Sequence, residues 1–207
     1  MLASQLAPKY RYENCAVVAI GDGGVVVGAQ IAMQLHCILT MLMIEEIKLP
    51  MEDQTVAGML SDGTFSYSHE LSGGQMEEIN SEFRGYMEQE KLTKFHNMNT
   101  LVGGSGTIDK SFLRGHNIII VSDGFSNSFS LDMALDFLKL VAVERIIVAT
   151  PLASVPAIDR MHIGADEICC LSVIENYIDT DHYYDQRDVP DHKKVIETIE
   201  KIILNWK

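Results

Sequence analysis

Two short segments of this 207-residue chain combine glycine with polar side chains directly after an apolar run. The first is Gly21-Asp22-Gly23-Gly24, and the second is the stretch VSDGFSNSFS at 121–130. Glycine allows a ligand to approach the backbone closely. Hydroxyls and backbone N–H groups at the start of a helix bind phosphate, helped by the helix dipole. These two segments are therefore the candidates for a ligand site.

In the second segment, Asp123 follows an apolar run and is placed to hold the hydroxyls of a ribose. The residues after it offer hydroxyls and N–H groups to a phosphate, and they are Gly124, Ser126, Asn127, Ser128 and Ser130. In the alternative interpretation, these small polar residues only cap a helix and form turns. The residue types alone leave both interpretations open.

The first segment invites comparison with the dinucleotide-binding fingerprint G-x-G-x-x-G. That motif would need glycine at positions 21, 23 and 26, and position 26 is Val. Glu45 and Glu46 do stand about 20 residues further on, where an acid that binds ribose would lie. Only two of the three glycines that the motif requires are present, which disfavours binding of a nicotinamide cofactor. A purely structural alternative is a turn with positive φ, which Gly23 and Gly24 would supply.

Short apolar runs rich in β-branched residues predict the strands that position both segments. They lie at Cys15–Ile20, Ile38–Ile44, Asn117–Ser122, Arg145–Ala149 and Glu167–Leu171, with helices at Val25–Leu35, Phe129–Val141 and Ser154–Ile163 between them. Continuous rather than alternating apolar runs indicate a parallel sheet covered on both faces. The sequence therefore predicts an α/β fold, a doubly wound and mostly parallel Rossmann-like sheet. Ligands of such sheets bind beyond the carboxyl ends of the strands.

The middle of the chain departs from this alternation. Asp62-Gly63 between β-prone pieces predicts a hairpin, and spaced apolar residues predict an amphipathic helix over 75–97. We expect a single domain, 1–207, with an insertion or flap at about 56–113 and a last amphipathic helix at 191–207.

Charge and composition narrow the class of protein. The chain has 16 basic and 29 acidic residues, a net charge of −13, which disfavours sequence-independent binding to nucleic acid. We find no signal peptide and no apolar run long enough to cross a membrane. The four cysteines have neither zinc-site spacing nor a C-x-x-C pair, which is typical of buried free thiols. We expect a cytoplasmic protein without a resident metal site.

Together the two segments resemble those of the type I phosphoribosyltransferases, especially the predicted phosphoribosyltransferases of unassigned substrate. The stretch at 121–130 aligns without a gap with the family's V-D-D-G-I-A-T-G-A-T, and VVAIGDGGVVVG at 17–28 is similar to its first strand, loop and helix. Similarity extends to IIVATP at 146–151 and to YYDQ at 183–186 with Asp191. The resemblance covers about 10–207 and is thin across 62–113.

The resemblance implies functional roles. The loop at 124–130 would hold the 5-phosphate of phosphoribosyl pyrophosphate (PRPP), and Ser122 and Asp123, at the positions of the family's paired acids, would hold the ribose hydroxyls. Gly21-Asp22-Gly23-Gly24 would cradle the pyrophosphate, with Mg²⁺ bridging. Asp123 would then be the catalytic residue, and a homodimer is the expected assembly.

Three departures from the family pattern fall in these loops. Ser122 replaces the first acid, Asn127 and Ser128 replace Thr and Gly, and Asp22 stands where the family commonly has a neutral or basic residue. We therefore expect a divergent protein that binds a phosphorylated ribose or a nucleotide, with transfer weakened or lost. The alternatives are an active phosphoribosyltransferase that moves phosphoribose to a nitrogenous base, and a non-catalytic partner-binding module with an empty site.

Overall fold

The structure is a computed structural model that describes residues 1–50, 54–102, 110–185 and 189–204. Its elements, in chain order, are α1 (Leu2–Tyr10), β1 (Cys15–Ile20), α2 (Gly21–Leu35), β2 (Ile38–Leu42), β3 (Ile44–Lys48), β4 (Thr55–Leu60), β5 (Phe65–Tyr67), α3 (Gly73–Glu82), α4 (Arg84–Val102), β6 (Asn117–Val121), α5 (Phe129–Leu138), β7 (Arg145–Ser154), α6 (Val155–Gly164), β8 (Glu167–Ile174) and α7 (His192–Leu204). They form two compact units, Met1–Leu42 with Asp109–Lys207, and Met43–Ile108.

The larger unit is built on a five-stranded sheet in the order β2-β1-β6-β7-β8. All four pairs of neighbouring strands are parallel. Every residue of β1 and β6 is buried, as the continuous apolar runs predict for strands covered on both faces. The predicted α/β fold with a mostly parallel sheet is thus confirmed. Strand order reverses between β1 and β6, which makes their carboxyl ends the topological switch point.

The predicted strand Ile38–Ile44 is wrong at its end. β2 stops at Leu42, and Ile44 begins β3, which pairs antiparallel with β4 in a separate three-stranded sheet. Apolarity runs on through Met43, so the sequence pattern contains no signal for the change of sheet. The polar residues that follow, Glu45 and Glu46, are half-buried, as is typical of a sheet with one open face.

Helix bounds differ from the predicted ones at several ends. α2 begins at Gly21 instead of Val25, α5 ends at Leu138 instead of Val141, and β7 continues to Ser154, which caps α6. α1 was not predicted. It buries Leu2, Leu6 and Tyr10, and the Tyr10 hydroxyl donates to the Glu167 carboxylate at 2.7 Å.

The smaller unit contains β3, β4 and β5, with the predicted hairpin at Asp62-Gly63 between β4 and β5. The predicted helix 75–97 is two helices, α3 and α4, which are separated at Phe83. α3 begins earlier than predicted because Ser72 and Gln75 form a capping box. We expected an insertion at about 56–113; the compact unit is Met43–Ile108 and takes in β3.

α7 lies within the predicted helix 191–207, whose last residues, 205–207, fall outside the described ones. Val195 and Ile202 are buried on its inner face. Along the stretches that the structure describes, no helix is both long and apolar enough to span a membrane.

Candidate functional site

The sheet register brings the two candidate segments together. Ala19 of β1 pairs with Val121 of β6, so the two strands end level with each other. The segment after β1 is the first turn of α2, and the segment after β6 is the loop 122–128 that leads into α5. Both therefore lie at the switch point of the sheet, where ligands of open α/β sheets bind.

The glycines of α2 allow a close approach between the two segments. A Cβ placed on Gly23 would lie less than 3.0 Å from all three carboxyl atoms of Asp123, and one placed on Gly24 would lie 2.8 Å from the Val121 carbonyl oxygen. The expected positive φ at Gly23 and Gly24 is wrong, because only Gly21 in this turn adopts it, at +65°. Glycine is thus needed at positions 23 and 24 because a Cβ would not fit there. At position 21 it is needed because the backbone adopts a positive φ.

Asp123 is a desolvated carboxylate. Burial raises the pKa of its carboxyl group above the usual value, and nearby Asp181 raises it further. Hydrogen bonds from its own amide and from the amide of Gly124 oppose that shift. A carboxylate held in this way is a strong hydrogen-bond acceptor for a ligand that displaces water from the loop.

Ser122 directs its hydroxyl into the loop itself. Its side chain is buried, Oγ donates to the Gly124 carbonyl at 2.9 Å, and Oγ accepts from the Gly124 amide at 3.3 Å. The hydroxyl at the position of the family's first acid therefore holds the turn around Asp123.

The rest of the predicted phosphate loop is partly engaged by its own side chains. Asn127 Oδ1 accepts from the Phe129 amide at 2.9 Å, which uses one N–H group at the start of α5. Ser128 precedes the helix and is buried, but its side chain makes no capping hydrogen bond. Ser126 is exposed and Ser130 is half-buried.

Asp22 has a partner that no sequence pattern indicated. Its Oδ1 lies 2.7 Å from Nδ1 of His192, the first residue of α7. The two residues are 170 positions apart in the sequence, and no motif contains both of them. Only the packing of α7 brings them together, so local sequence carries no signal for this pair.

The segment after β8 packs against the β6 loop. The Tyr184 hydroxyl donates to the Asp123 carbonyl at 2.7 Å. A Cβ on Gly124 would lie 2.9 Å from Oγ1 of Thr180, which is hydrogen-bonded to the Tyr177 hydroxyl. Burial, followed by the charge of Asp123, raises the pKa of Tyr184 to about 12. The resemblance at 183–186 pointed to this segment, although Gln186 lies outside the described residues.

Comparison with protein families identifies the scaffold. The model of the phosphoribosyl transferase domain matches residues 1–185. The chain belongs to the phosphoribosyl transferase family. The predicted resemblance is thereby confirmed at the level of the family.

One solved structure supports the fold. The TT1426 protein of Thermus thermophilus is 24% identical over 99% of this chain and 93% of its own, with a TM-score of 0.68. The adenine phosphoribosyltransferase of Giardia lamblia, solved with 9-deazaadenine, is 13% identical over 84% of this chain and 78% of its own, with a TM-score of 0.49. A search of curated proteins gave no match.

In this phosphoribosyl transferase domain the family match ends before α7 begins. Gly21–Gly24 and 122–130 lie inside the matched residues, whereas His192 lies beyond them. The partner of Asp22 therefore comes from a part of the chain outside the family match.

The fold family implies Mg²⁺, which side chains of this protein or oxygens of its ligand would have to hold. Within the described residues, no group of three or more His, Cys, Asp or Glu side chains is arranged to do so. Mg²⁺ is commonly bound through substrate phosphates and water, with few protein ligands. An ion that accompanies PRPP would thus be held chiefly by the ligand's own oxygens.

Proposed function

We propose that this chain binds a phosphorylated ribose or a nucleotide at the switch point between β1 and β6, and that transfer of phosphoribose is weak or absent. The observation that carries the proposal is the contact between Gly23 and the Asp123 carboxylate. It supports one continuous site, with the ribose-binding acid directly beside the loop expected to receive pyrophosphate.

Asp123 is the residue on which ligand binding depends. Burial raises the pKa of its carboxyl group, so the ionised form is poorly solvated in the free protein. Two ribose hydroxyls would donate hydrogen bonds to that carboxylate and replace the missing water. Hydrogen bonds to a charged group contribute about 1.5–3 kcal/mol each, enough for specific recognition of a ribose.

Transfer is disfavoured by the charges around the site. Cleavage at the anomeric carbon develops positive charge on the ribose and negative charge on the leaving pyrophosphate. Ser122 has no negative charge to stabilise the positive charge on the ribose, and its hydroxyl is already hydrogen-bonded within the loop. Asp22 would place a carboxylate near the negative charge of the leaving pyrophosphate. One pair of like charges at 4 Å costs about 4 kcal/mol at an effective dielectric near 20.

Calorimetric titration with PRPP, ribose 5-phosphate and AMP, each with and without Mg²⁺, tests the binding. We expect at least one to bind, and Asp123→Ala to abolish that binding. Asp159→Ala is the matched control, since Asp159 is an exposed carboxylate of α6 in the same unit. Binding that Asp123→Ala leaves unchanged would refute the site.

The other outcomes separate the remaining hypotheses. No binding of any of these ligands at millimolar concentration would refute the function and favour the partner-binding module with an empty site. Release of pyrophosphate from PRPP with a panel of purine and pyrimidine bases measures transfer. We expect release no faster than in the Asp123→Ala variant; base-dependent release well above it would identify an active phosphoribosyltransferase.

A further inference from the structure

The Asp22–His192 pair joins the first turn of α2 to the start of α7. Nδ1 of His192 lies 2.7 Å from Asp22 Oδ1. An ionised carboxylate only accepts hydrogen bonds, so Nδ1 is the donor. The His192 side chain is 14% exposed and the Asp22 side chain 34% exposed, so the contact is partly shielded from water. It fixes the direction of the Asp22 carboxylate.

The Asp22 side chain lies on a different face of α2 from the glycines that contact β6. Gly23 adjoins the Asp123 carboxylate, and Gly24 adjoins the backbone of β6. Each residue of a helix is turned by about 100° from the one before it, so Asp22 lies about 100° from Gly23 and about 160° from Gly24 around the axis. α7 packs on α2 and β2. His192 therefore holds the carboxylate on the side of the turn that faces α7.

A carboxylate released from α7 would oppose an anionic ligand in two ways. The first N–H groups of a helix have no partner within the helix, and they attract negative charge. The Asp22 carboxylate would bind these N–H groups itself and compete with a phosphate for them. Its negative charge would also repel the ligand at short range. A donor on α7 keeps the carboxylate out of this competition.

We propose that His192 is a positioning residue, which holds the Asp22 carboxylate on α7 and leaves the N–H groups of the first turn of α2 open to the phosphates of a ligand. The proposal rests on the function proposed above and adds to it a residue from outside the family match. The carboxylate stays in the turn that the leaving pyrophosphate would meet, so the proposal concerns binding and not transfer. PRPP carries a pyrophosphate for this turn and ribose 5-phosphate carries none, so His192 should affect the affinity for PRPP alone.

Calorimetric titration of PRPP and of ribose 5-phosphate at constant Mg²⁺ tests the role of His192. His192→Ala removes the donor, whereas His192→Asn keeps one, because its amide nitrogen is attached to Cγ as Nδ1 is. We expect His192→Ala to weaken PRPP binding at least about tenfold and His192→Asn to stay within about threefold of wild type. His162→Ala is the matched control, since His162 is exposed on α6, and it should leave the affinity unchanged.

Asp22→Ala distinguishes the ways in which His192 could act. If His192 works by holding the Asp22 carboxylate, its loss has no consequence once that carboxylate is absent. We expect Asp22→Ala to bind PRPP at least as tightly as wild type, and Asp22→Ala/His192→Ala to bind it equally well. The same loss of affinity with and without the Asp22 carboxylate would show that His192 acts on the ligand or on the fold directly, and would overturn the inference.

The outcomes also separate this inference from the function on which it rests. Unchanged PRPP affinity in His192→Ala would overturn the inference while leaving ligand binding intact. An equal loss of affinity for ribose 5-phosphate in that variant would do the same, as would a wild type that binds ribose 5-phosphate or AMP and not PRPP. Failure of the wild type to bind any of the three would overturn the proposed function, and the inference with it.

Discussion

Gly23→Ala tests whether the first turn of α2 and the β6 loop form one site. The new Cβ would lie 2.9 Å from Asp123 Oδ1 and closer still to the other two carboxyl atoms, whereas ordinary contacts begin at 3.4 Å. The nearest carboxyl atom, Oδ2, must therefore move by about 1.4 Å to reach an ordinary contact, or α2 must shift away from β6.

The expected effect on stability combines two opposing contributions. Alanine is favoured over glycine in a helix by about 1 kcal/mol, and overpacking a close contact costs about 1–3 kcal/mol. Gly85→Ala is the matched control, because Gly85 also lies in the first turn of a helix and a Cβ there has nothing within 4 Å. We expect Gly85→Ala to stabilise the protein by up to about 1 kcal/mol, and Gly23→Ala to be neutral or destabilising by up to about 2 kcal/mol.

Urea unfolding of the single variants and of Gly23→Ala/Asp123→Ala measures the contact directly. Removing the Asp123 carboxylate should relieve the overpacking, with a coupling energy of about 1–3 kcal/mol. Affinity for PRPP should fall at least about tenfold in Gly23→Ala, the loss of one hydrogen bond to a charged group, and stay unchanged in Gly85→Ala. A Gly23→Ala protein as stable as Gly85→Ala, with unchanged affinity and no coupling to Asp123, would refute the reasoning.

Three further predictions concern single groups. Because burial raises the pKa of Asp123, its ionisation destabilises the fold as the pH rises. Asp123→Asn should increase the free energy of unfolding at pH 7 by up to about 2 kcal/mol and change it little near pH 4, as urea unfolding at both values would reveal; a decrease at pH 7 would contradict this. Tyr184→Phe removes the donor to the Asp123 carbonyl and should cost about 1 kcal/mol in thermal unfolding, whereas no change would argue against that hydrogen bond. Burial raises the pKa of Cys15 to about 11 and that of Cys37 to about 12. Iodoacetamide at pH 8 should therefore label both at least about a hundredfold more slowly in native than in urea-unfolded protein by mass spectrometry, and equal rates would refute their burial.

The central sheet was predictable because its signal is local. β1 was predicted with its observed bounds, Cys15–Ile20, since six consecutive apolar residues rich in β-branched types are typical of a strand covered on both faces. The break after Leu42 was not predictable, because apolarity continues across a change from one sheet to another. A pattern of residue types reports burial, and it does not report which sheet buries a residue.

The start of α2 shows a different limit. Glycine is the poorest helix former apart from proline, so Gly21–Gly24 was interpreted as a loop before a helix at Val25. In the structure these residues form the helix's first turn, and the Val121 carbonyl and the Asp123 carboxylate leave no space there for a Cβ on Gly23 or Gly24. Tertiary packing on β6 outweighs the weak propensity, and the sequence of α2 alone contains no trace of β6.

The arrangement of charges at the switch point separates binding from transfer. In the proposed function a ribose would offer hydroxyls to Asp123, and those hydrogen bonds would be present before and after any bond is broken. Transfer would need additional stabilisation of the leaving pyrophosphate in the transition state, at the turn proposed to receive it, where Asp22 adds a negative charge. The same arrangement would therefore permit binding of a phosphorylated ribose while leaving the departure of pyrophosphate without assistance.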